Sequence, residues 1–409
     1  MRAISLFLPL LALAAAAPLA AETGLPDEAA VARALDEHPS VMAAQARLEA
    51  AEARATGLRK GPHEFTFTGT YIRRTVDREG DFDEYDAQLS RAIRLPGKAR
   101  LDREIGAYGV EAAANLAEDA RHQAALLLAM HWYDWLSASA QANVDRAAVA
   151  NFEQALAAVT RRMELRDAAQ LEVDQASAAL ASARLAAEQS SGLATLARAP
   201  LATHFPALPL PDTAPELPFP EIAEAELAQL RDHVISNSHE VAAAEAEALR
   251  MGAVAARAKK DRMADPTLGV RLFSERDGHE QVAGLVFSIP LGGGHRKALA
   301  QEAGAGAYAA RAEEQLARFT VQETADADVA EARYRLAAWE RAQEAVAAQM
   351  AALVKLRRGH ELGEIDLADL LLGERMVHDA FRMEAQARAE AARAVTKLRI
   401  DSHELWLAD

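Results

Sequence analysis

The sequence predicts a mainly α protein with a small β part, in which long helices coil around one another and four strands are inserted between them. Composition predicts the helices, because most of the chain is Ala, Glu, Arg, Leu and Gln and long stretches lack proline. Four short runs of alternating apolar and polar residues predict the strands. The similarity of the two chain halves indicates a duplicated architecture.

The N-terminal segment 1–21 has the pattern of a secretory signal peptide. Met1-Arg2 is followed by an apolar run from Ile4 to about Leu19 and then by Ala20-Ala21. A retained membrane anchor is the alternative, but the run is short and no stop-transfer pattern follows it. The chain contains no cysteine, so it offers no disulfide, no thiol nucleophile and no site for a lipid anchor. We therefore expect an exported, non-lipidated protein.

The helical segments are long. No proline occurs from Lys98 to about Arg162 or from Gly294 to the end, and a 65-residue helix extends roughly 100 Å. Most apolar positions in these segments are alanine, which favours close packing of helices coiled around one another. A soluble coiled-coil rod remains open as an alternative at this point.

A proline-rich segment at 199–220 divides the chain into two similar parts, and it predicts an extended linker. Val41–Ala46 in the first part matches Val241–Ala246 in the second, at an offset of 200 residues. The sequence therefore predicts a first repeat over 22–198 and a second over 221–409. Each repeat is expected to contain a helix, a β-hairpin and a long helical hairpin.

The predicted hairpins cover about 63–95 and about 266–290. In the first, aromatic residues alternate with threonines, a charged loop is expected at Asp77 to Asp83, and the second strand follows. The aromatic residues of this hairpin are Phe65, Phe67, Tyr71 and Tyr85. In the second, Glu275–His279 separates two similar runs.

Four strands do not close a barrel, and an open sheet edge is not tolerated in hydrocarbon because its amide groups lack hydrogen-bond partners. Three chains would supply twelve strands, which is within the range of outer-membrane barrels. The sequence therefore predicts that copies from several chains close a transmembrane β-barrel together. Two hairpins that cap a soluble rod are the alternative.

Net charge and motifs exclude other classes. A formal charge of −16 argues against a nucleic-acid partner, which requires a basic surface. No nucleophile–base pair, phosphate loop or paired-carboxylate motif is present, so we expect no enzyme activity and no cofactor. Glu374 with His378 and His131 with Asp134 are the nearest candidates for a metal site, but neither pair belongs to a set of three or four ligands.

The chain resembles the TolC family of outer-membrane efflux proteins over essentially its whole mature length. The best local match is Leu362–Leu371, which is similar to the family's Gly-Glu-Ile-Ser-Leu-Leu-Asp-Val-Leu segment, whereas its first-half counterpart at Arg166–Val173 lacks the glycine. Leu95–Arg100 looks like the Pro-Gly-Lys-Arg stretch of CzcC-like components of heavy-metal efflux systems.

The resemblance implies a homotrimeric duct with a twelve-stranded transmembrane β-barrel in the outer membrane and a twelve-helix α-barrel in the periplasm. It implies a periplasmic adaptor protein and an inner-membrane RND-type pump as partners, and heavy-metal cations as cargo. A drug-efflux or type I secretion duct would share this fold, and a soluble periplasmic scaffold is the alternative from another class.

Two sets of residues are candidates for function. By the resemblance, acidic residues near the periplasmic helix tips form a gate that selects cations, whereas ordinary solvated turn residues are the other interpretation. The gate candidates are Gly363, Glu364, Asp366 and Asp369. The hairpin aromatics Phe65, Phe67, Tyr71 and Tyr85 are expected to lie at the membrane interface, in contact with outer-membrane lipid.

Overall fold

The computed structural model describes residues 24–407, so the predicted signal peptide at 1–21 lies outside the described residues. The first half of the described chain contains α1 (Glu28–Asp36), α2 (Pro39–Lys60), β1 (Thr66–Val76), β2 (Gly80–Ala92), α3 (Lys98–Glu164) and α4 (Gln170–His204). The second half contains α5 (Glu224–Ser236), α6 (His239–Lys260), β3 (Thr267–Glu275), β4 (Glu280–Ser288), α7 (Gly294–Glu361) and α8 (Leu367–Asp401). The predicted fold class, mainly α with four strands, is confirmed.

The same order of elements occurs in both halves: two helices, a hairpin, a very long helix and a shorter antiparallel helix. The long helices α3 and α7 contain 67 and 68 residues, and at ~1.5 Å per residue each extends roughly 100 Å. Helix α3 packs along α2, α4, α6 and α8, while α7 packs along α6 and α8. Within residues 24–407, no helix is both long and apolar enough to span a membrane.

The four strands form one antiparallel sheet in the order β1-β2-β3-β4. The central pair β2–β3 joins the two chain halves, with Leu89 opposite Val270. Strand β1 extends to Val76 and β2 begins at Gly80, so most of the loop expected at Asp77 to Asp83 is strand. In this region Arg73 pairs with Asp83 and Val76 pairs with Gly80. Charged residues that were expected in a loop therefore belong to the paired strands.

The proline-rich segment packs against the main apolar core. Leu208 and Leu217 belong to the same buried cluster as Trp132 and Phe205. Helix α4 ends at His204 and includes Pro200, so the first residues of the predicted linker are helical.

Candidate functional site: the sheet, the strand–helix joint and the helix turns

The sheet has one apolar and one polar face. A row of apolar residues crosses all four strands in register, Phe67, Leu89, Val270 and Leu285. Each of these side chains is at least 44% exposed, because no helix covers this face. On the other face Arg271 binds Asp86 with both a 3.0 Å and a 2.6 Å hydrogen bond. Alternation of this kind is typical of a strand with lipid on one side and water on the other.

The aromatic residues singled out from the sequence lie in and beside this sheet. Tyr71 and Tyr85 are register partners with ring centroids 5.4 Å apart, and both are exposed. Phe65 precedes β1. The guanidinium group of Arg91 lies over its ring, with the guanidinium carbon 4.9 Å from the ring centroid. Phe67 lies on the same face as Tyr71 because side chains alternate along a strand. The structure therefore brings Phe67, Tyr71 and Tyr85 to one surface.

Lys98 forms a buried joint between the sheet and the helices. It is the first residue of α3 and is only 1% exposed. Its ammonium group lies 2.7 Å from Asp265 and 2.9 Å from Asp261, and it donates a 2.8 Å hydrogen bond to the Met263 carbonyl. The joint therefore fixes the start of α3 to the connection between α6 and β3, which belongs to the other half of the chain.

Asp265 is the centre of this joint. It also accepts hydrogen bonds from the Leu95 amide at 3.0 Å and pairs with His63 at 2.8 Å. Burial alone would raise the pKa of Asp265, but the hydrogen bonds from Lys98, His63 and Leu95 outweigh it and lower the pKa to about 2. The carboxylate therefore stays ionised, and a permanent anion balances the buried ammonium of Lys98.

A second buried ionic network joins α3 and α7 to the C-terminal end of α8. Lys397 on α8 lies 2.5 Å from Asp328 on α7 and 2.7 Å from Asp401. His122 on α3 lies 2.7 Å from the other oxygen of Asp401. Burial raises the pKa of Asp328, whereas hydrogen bonding to His122 and the charge of Lys397 hold the pKa of Asp401 below its usual range despite its burial.

His122 makes this network sensitive to alkaline pH. Burial alone would lower its pKa, but the carboxylate of Asp119, 4.0 Å away, and the hydrogen bond to Asp401 outweigh that effect and raise the pKa to about 9. Because the folded pKa lies above the unfolded value of 6.5, the stabilisation is complete below about pH 6.5 and is lost as the pH rises to about 9.

We therefore expect the free energy of unfolding to fall by on the order of 2–3 kcal/mol between pH 6 and pH 9.5. Denaturant unfolding at a series of pH values measures this. In His122→Gln the loss over this pH range should be much smaller, and an unchanged pH dependence in that variant would contradict the assignment.

The far ends of the long helices are two tight turns. Helix α7 ends at Glu361, and Gly363 follows with φ of 77°, so that the Gly363 amide reaches the His360 carbonyl at 3.0 Å. Asp366 is the N-cap of α8 and accepts a 2.8 Å hydrogen bond from the Asp369 amide. Glu364, Asp366 and Asp369 are exposed at this turn. The structure thus gives Gly363 and Asp366 local structural roles and leaves the Asp369 carboxylate in solvent.

The first-half turn has the same geometry without a glycine. Arg166 follows the end of α3 with φ of 61°, and its amide donates to the Met163 carbonyl at 2.9 Å. Arg162 on α3 then contacts His360 on α7 at 3.4 Å, and the other ring nitrogen of His360 donates to the Ile365 carbonyl at 2.9 Å. This contact holds the two turns side by side.

A left-handed conformation costs a non-glycine residue roughly 1–2 kcal/mol. We therefore expect Arg166→Gly to raise the free energy of unfolding by about 0.5–1 kcal/mol and Gly363→Ala to lower it by about 1 kcal/mol. Denaturant midpoints of the two variants measure this, and a loss of stability in Arg166→Gly would show that the arginine side chain contributes more than the backbone strain removes.

Neither the Lys98 joint nor the His122 network was found from the sequence. The only signal was Leu95–Arg100, which was interpreted as a family motif without a structural role. Of the metal candidates, His378 is buried beside Phe152, and in the described range 24–407 no three His, Asp or Glu side chains are grouped to hold a metal ion.

Comparison with known proteins gives a match in structure only. No family model matches the chain. No curated protein is similar to it in sequence. Among solved structures, the outer membrane protein VceC from Vibrio cholerae superposes with a TM-score of 0.74 and 17% identity, over 93% of this chain and 96% of the other. The chain has the fold of an outer-membrane channel protein.

Two further channels have this fold. The open-state MtrE outer membrane channel from Neisseria gonorrhoeae gives a TM-score of 0.74 at 18% identity, over 93% of this chain and 89% of the other. The CmeC outer membrane channel from Campylobacter jejuni gives 0.70 at 15% identity, over 93% and 86%. Similarity over nearly the whole of both chains means that the hairpins and the long helices belong to one shared architecture.

Proposed function

We propose that this chain is one protomer of a homotrimeric exit duct in the outer membrane, and that the duct belongs to a tripartite efflux system. The observation that carries the proposal is the sheet. Its apolar face is exposed, and the outer edges of β1 and β4 pair with no other strand within residues 24–407. An apolar, open-edged sheet is unstable in water and is not tolerated in lipid unless its edges are paired.

Three copies satisfy both requirements. Strand β4 of one copy pairs with β1 of the next, and twelve strands close a barrel whose apolar face contacts lipid. The strands contain 9 to 13 residues, and a tilted membrane strand needs about 9–11. Tyr71, Tyr85 and Phe67 then lie on the lipid side. The long helices extend roughly 100 Å away from the membrane, into the periplasm.

The helix turns are the surface for the partner proteins. They lie at the far end of α3 and α7, where a duct must meet a periplasmic adaptor and an RND-type inner-membrane pump. We propose heavy-metal cations as the cargo. The formal charge of −16 and the exposed Asp369 and Glu364 support a cation path, and the resemblance of Leu95–Arg100 to heavy-metal systems supports the class of cation.

Fractionation of cells that express the full-length chain tests the duct. We expect the protein in the outer-membrane fraction and, after extraction in detergent, a particle of the mass of three chains. A soluble periplasmic monomer would overturn the duct and favour a coiled-coil scaffold.

Growth tests the cargo. Cells that depend on this chain for export should tolerate zinc, cobalt and cadmium salts better than cells without it, with no change in tolerance to dyes or detergents. The opposite pattern would indicate a drug-efflux duct. Unchanged tolerance to metal salts and to dyes or detergents would favour a type I secretion duct.

Conductance tests the gate. In planar bilayers, Asp369→Asn should lower the ratio of cation to anion permeability of the trimer, because three carboxylates would be lost near one axis. Asp212→Asn, an exposed change in the proline-rich segment, is the matched control. An unchanged ratio in Asp369→Asn would remove Asp369 from the cation path.

A further inference from the structure

Each half of the chain has a joint where its hairpin leads into its long helix, β2 into α3 and β4 into α7. The two joints share one contact and differ in another. In the first half Arg94 donates to the Leu58 and Arg59 carbonyls at the end of α2. In the second half Arg296 donates to the Asp261 carbonyl at the end of α6, at 3.0 Å. Each half thus repeats the contact in which an arginine after the hairpin caps the helix before it.

Among residues 24–407, the ion pair that links the start of a long helix to the segment before the other half's hairpin occurs once. Lys98, at the start of α3, binds Asp265, which lies two positions before the start of β3. The corresponding carboxylate in the first half is Glu64, two positions before the start of β1. The position that corresponds to Lys98 is Gly294, the first residue of α7, and the nearest lysine is Lys297, about one helical turn further along α7. Both Glu64 and Lys297 are exposed, and neither has an ion-pair partner in the described chain.

The surroundings of the second joint are open. Leu291 is 93% exposed, and a side chain added at Gly292, Gly293 or Gly294 would meet no atom within 4 Å. Helix α3 lies between α2 and α6, whereas α7 packs on α6 and, among the described elements, has no α2 beside it. The missing neighbour of α7 is therefore a second α2, together with the connection that follows it.

We propose that Lys297 of each copy binds Glu64 of the next copy, and that this ion pair repeats between chains the joint that Lys98 and Asp265 form within one chain. The inference rests on the proposed trimer and adds to it the contact that sets the register of neighbouring copies. The repeat supplies the geometry, since α3 with α6 and α7 with the next α2 are equivalent positions in a closed ring. Opposite charges at these positions supply the complementarity.

Cross-linking tests the pair, and the absence of natural cysteine makes it specific. Glu64→Cys and Lys297→Cys are introduced together into the full chain, and membranes are treated with a short bismaleimide. This reagent is preferred to oxidation because a lysine–glutamate pair spans more than disulfide geometry allows. We expect covalent dimers and trimers on denaturing gels. Each single variant, and Lys297→Cys combined with Asp212→Cys, should remain monomeric on the gel.

The outcomes separate the two proposals. A trimer by sizing without cross-linked bands would overturn the Lys297–Glu64 pair and leave the duct intact. A monomer by sizing, in the variants and in the unmodified chain, would overturn the duct and the pair with it. Cross-linking confined to the double variant would support both.

Charge reversal gives an independent test in the trimer. Lys297→Glu and Glu64→Lys should each lower the temperature at which the trimer dissociates in detergent, because each places like charges opposite each other. The double reversal should recover more than half of the decrease in dissociation temperature. Additive losses in the double reversal would show that the two residues do not meet.

Discussion

Replacing Lys98 by methionine is expected to lower the free energy of unfolding by about 3–5 kcal/mol. Methionine keeps the length and fills the same space, but it removes the buried ammonium group that Asp265 and Asp261 share and the donor to the Met263 carbonyl. Asp261 keeps its ion pair with Arg257, and Asp265 keeps its contact with His63. The loss is large because Lys98 is 1% exposed, so water does not replace the ammonium group. Denaturant midpoints of the detergent-solubilised protein measure it.

Lys355→Met is the matched control, because Lys355 is exposed on α7 and makes no ion pair in the described chain. Its effect should stay within about 0.5 kcal/mol. Adding Asp265→Asn to Lys98→Met should recover part of the loss, since it removes the buried charge that has lost its ammonium partner. A loss below about 1 kcal/mol in Lys98→Met alone would contradict a stabilising role for the buried joint.

The second large effect is expected at Asp401. Asp401→Asn preserves the shape of the side chain but removes the buried anion that His122 and Lys397 share. Asp328 is then the remaining carboxylate at Lys397, and Asp119, 4.0 Å away, is the remaining one at His122. We expect a loss of about 3–5 kcal/mol. Asp379→Asn is the control, because its ion pair with Arg375 is exposed, and exposed pairs contribute about 0–1 kcal/mol.

The same variant changes the titration of His122. Without the carboxylate of Asp401, the pKa of His122 should fall from about 9 towards its ordinary value. NMR titration of the ring protons measures this directly. If the pKa of His122 remained near 9 in Asp401→Asn, Asp119 alone would hold its charge.

The sequence predicted those parts of the fold that depend on local pattern. Proline-free, alanine-rich segments predicted α3 and α7, and alternation at Phe67 to Tyr71 predicted β1, because periods of 3.6 and 2 residues are local properties. The glycine at 363 predicted a turn, which the structure shows with positive φ. At the other turn the sequence pattern gave no equivalent signal, because Arg166 adopts a conformation that its residue type disfavours.

The buried ionic contacts were not predictable in this way. Lys98 and Asp265 are separated by 167 residues, and His122 and Asp401 by 279. A charged residue in an alanine-rich helix is normally interpreted as solvated, and only the packing of α3 against α6 and α8 buries these groups. Their partners are therefore set by tertiary structure, which the local pattern does not contain.

The central strand pair has a consequence for how the chain folds. Strands β2 and β3 are neighbours in the sheet, but the whole segment 93–266 lies between them. Closing a loop of that length costs roughly 4–5 kcal/mol of chain entropy before any ladder bond forms. Helices α3 and α6, which precede or follow these strands, pack against each other, so we expect their packing to bring the two strand ends together before the sheet forms. A variant that slows this packing will leave two separate hairpins with unpaired edges, which favours aggregation before assembly.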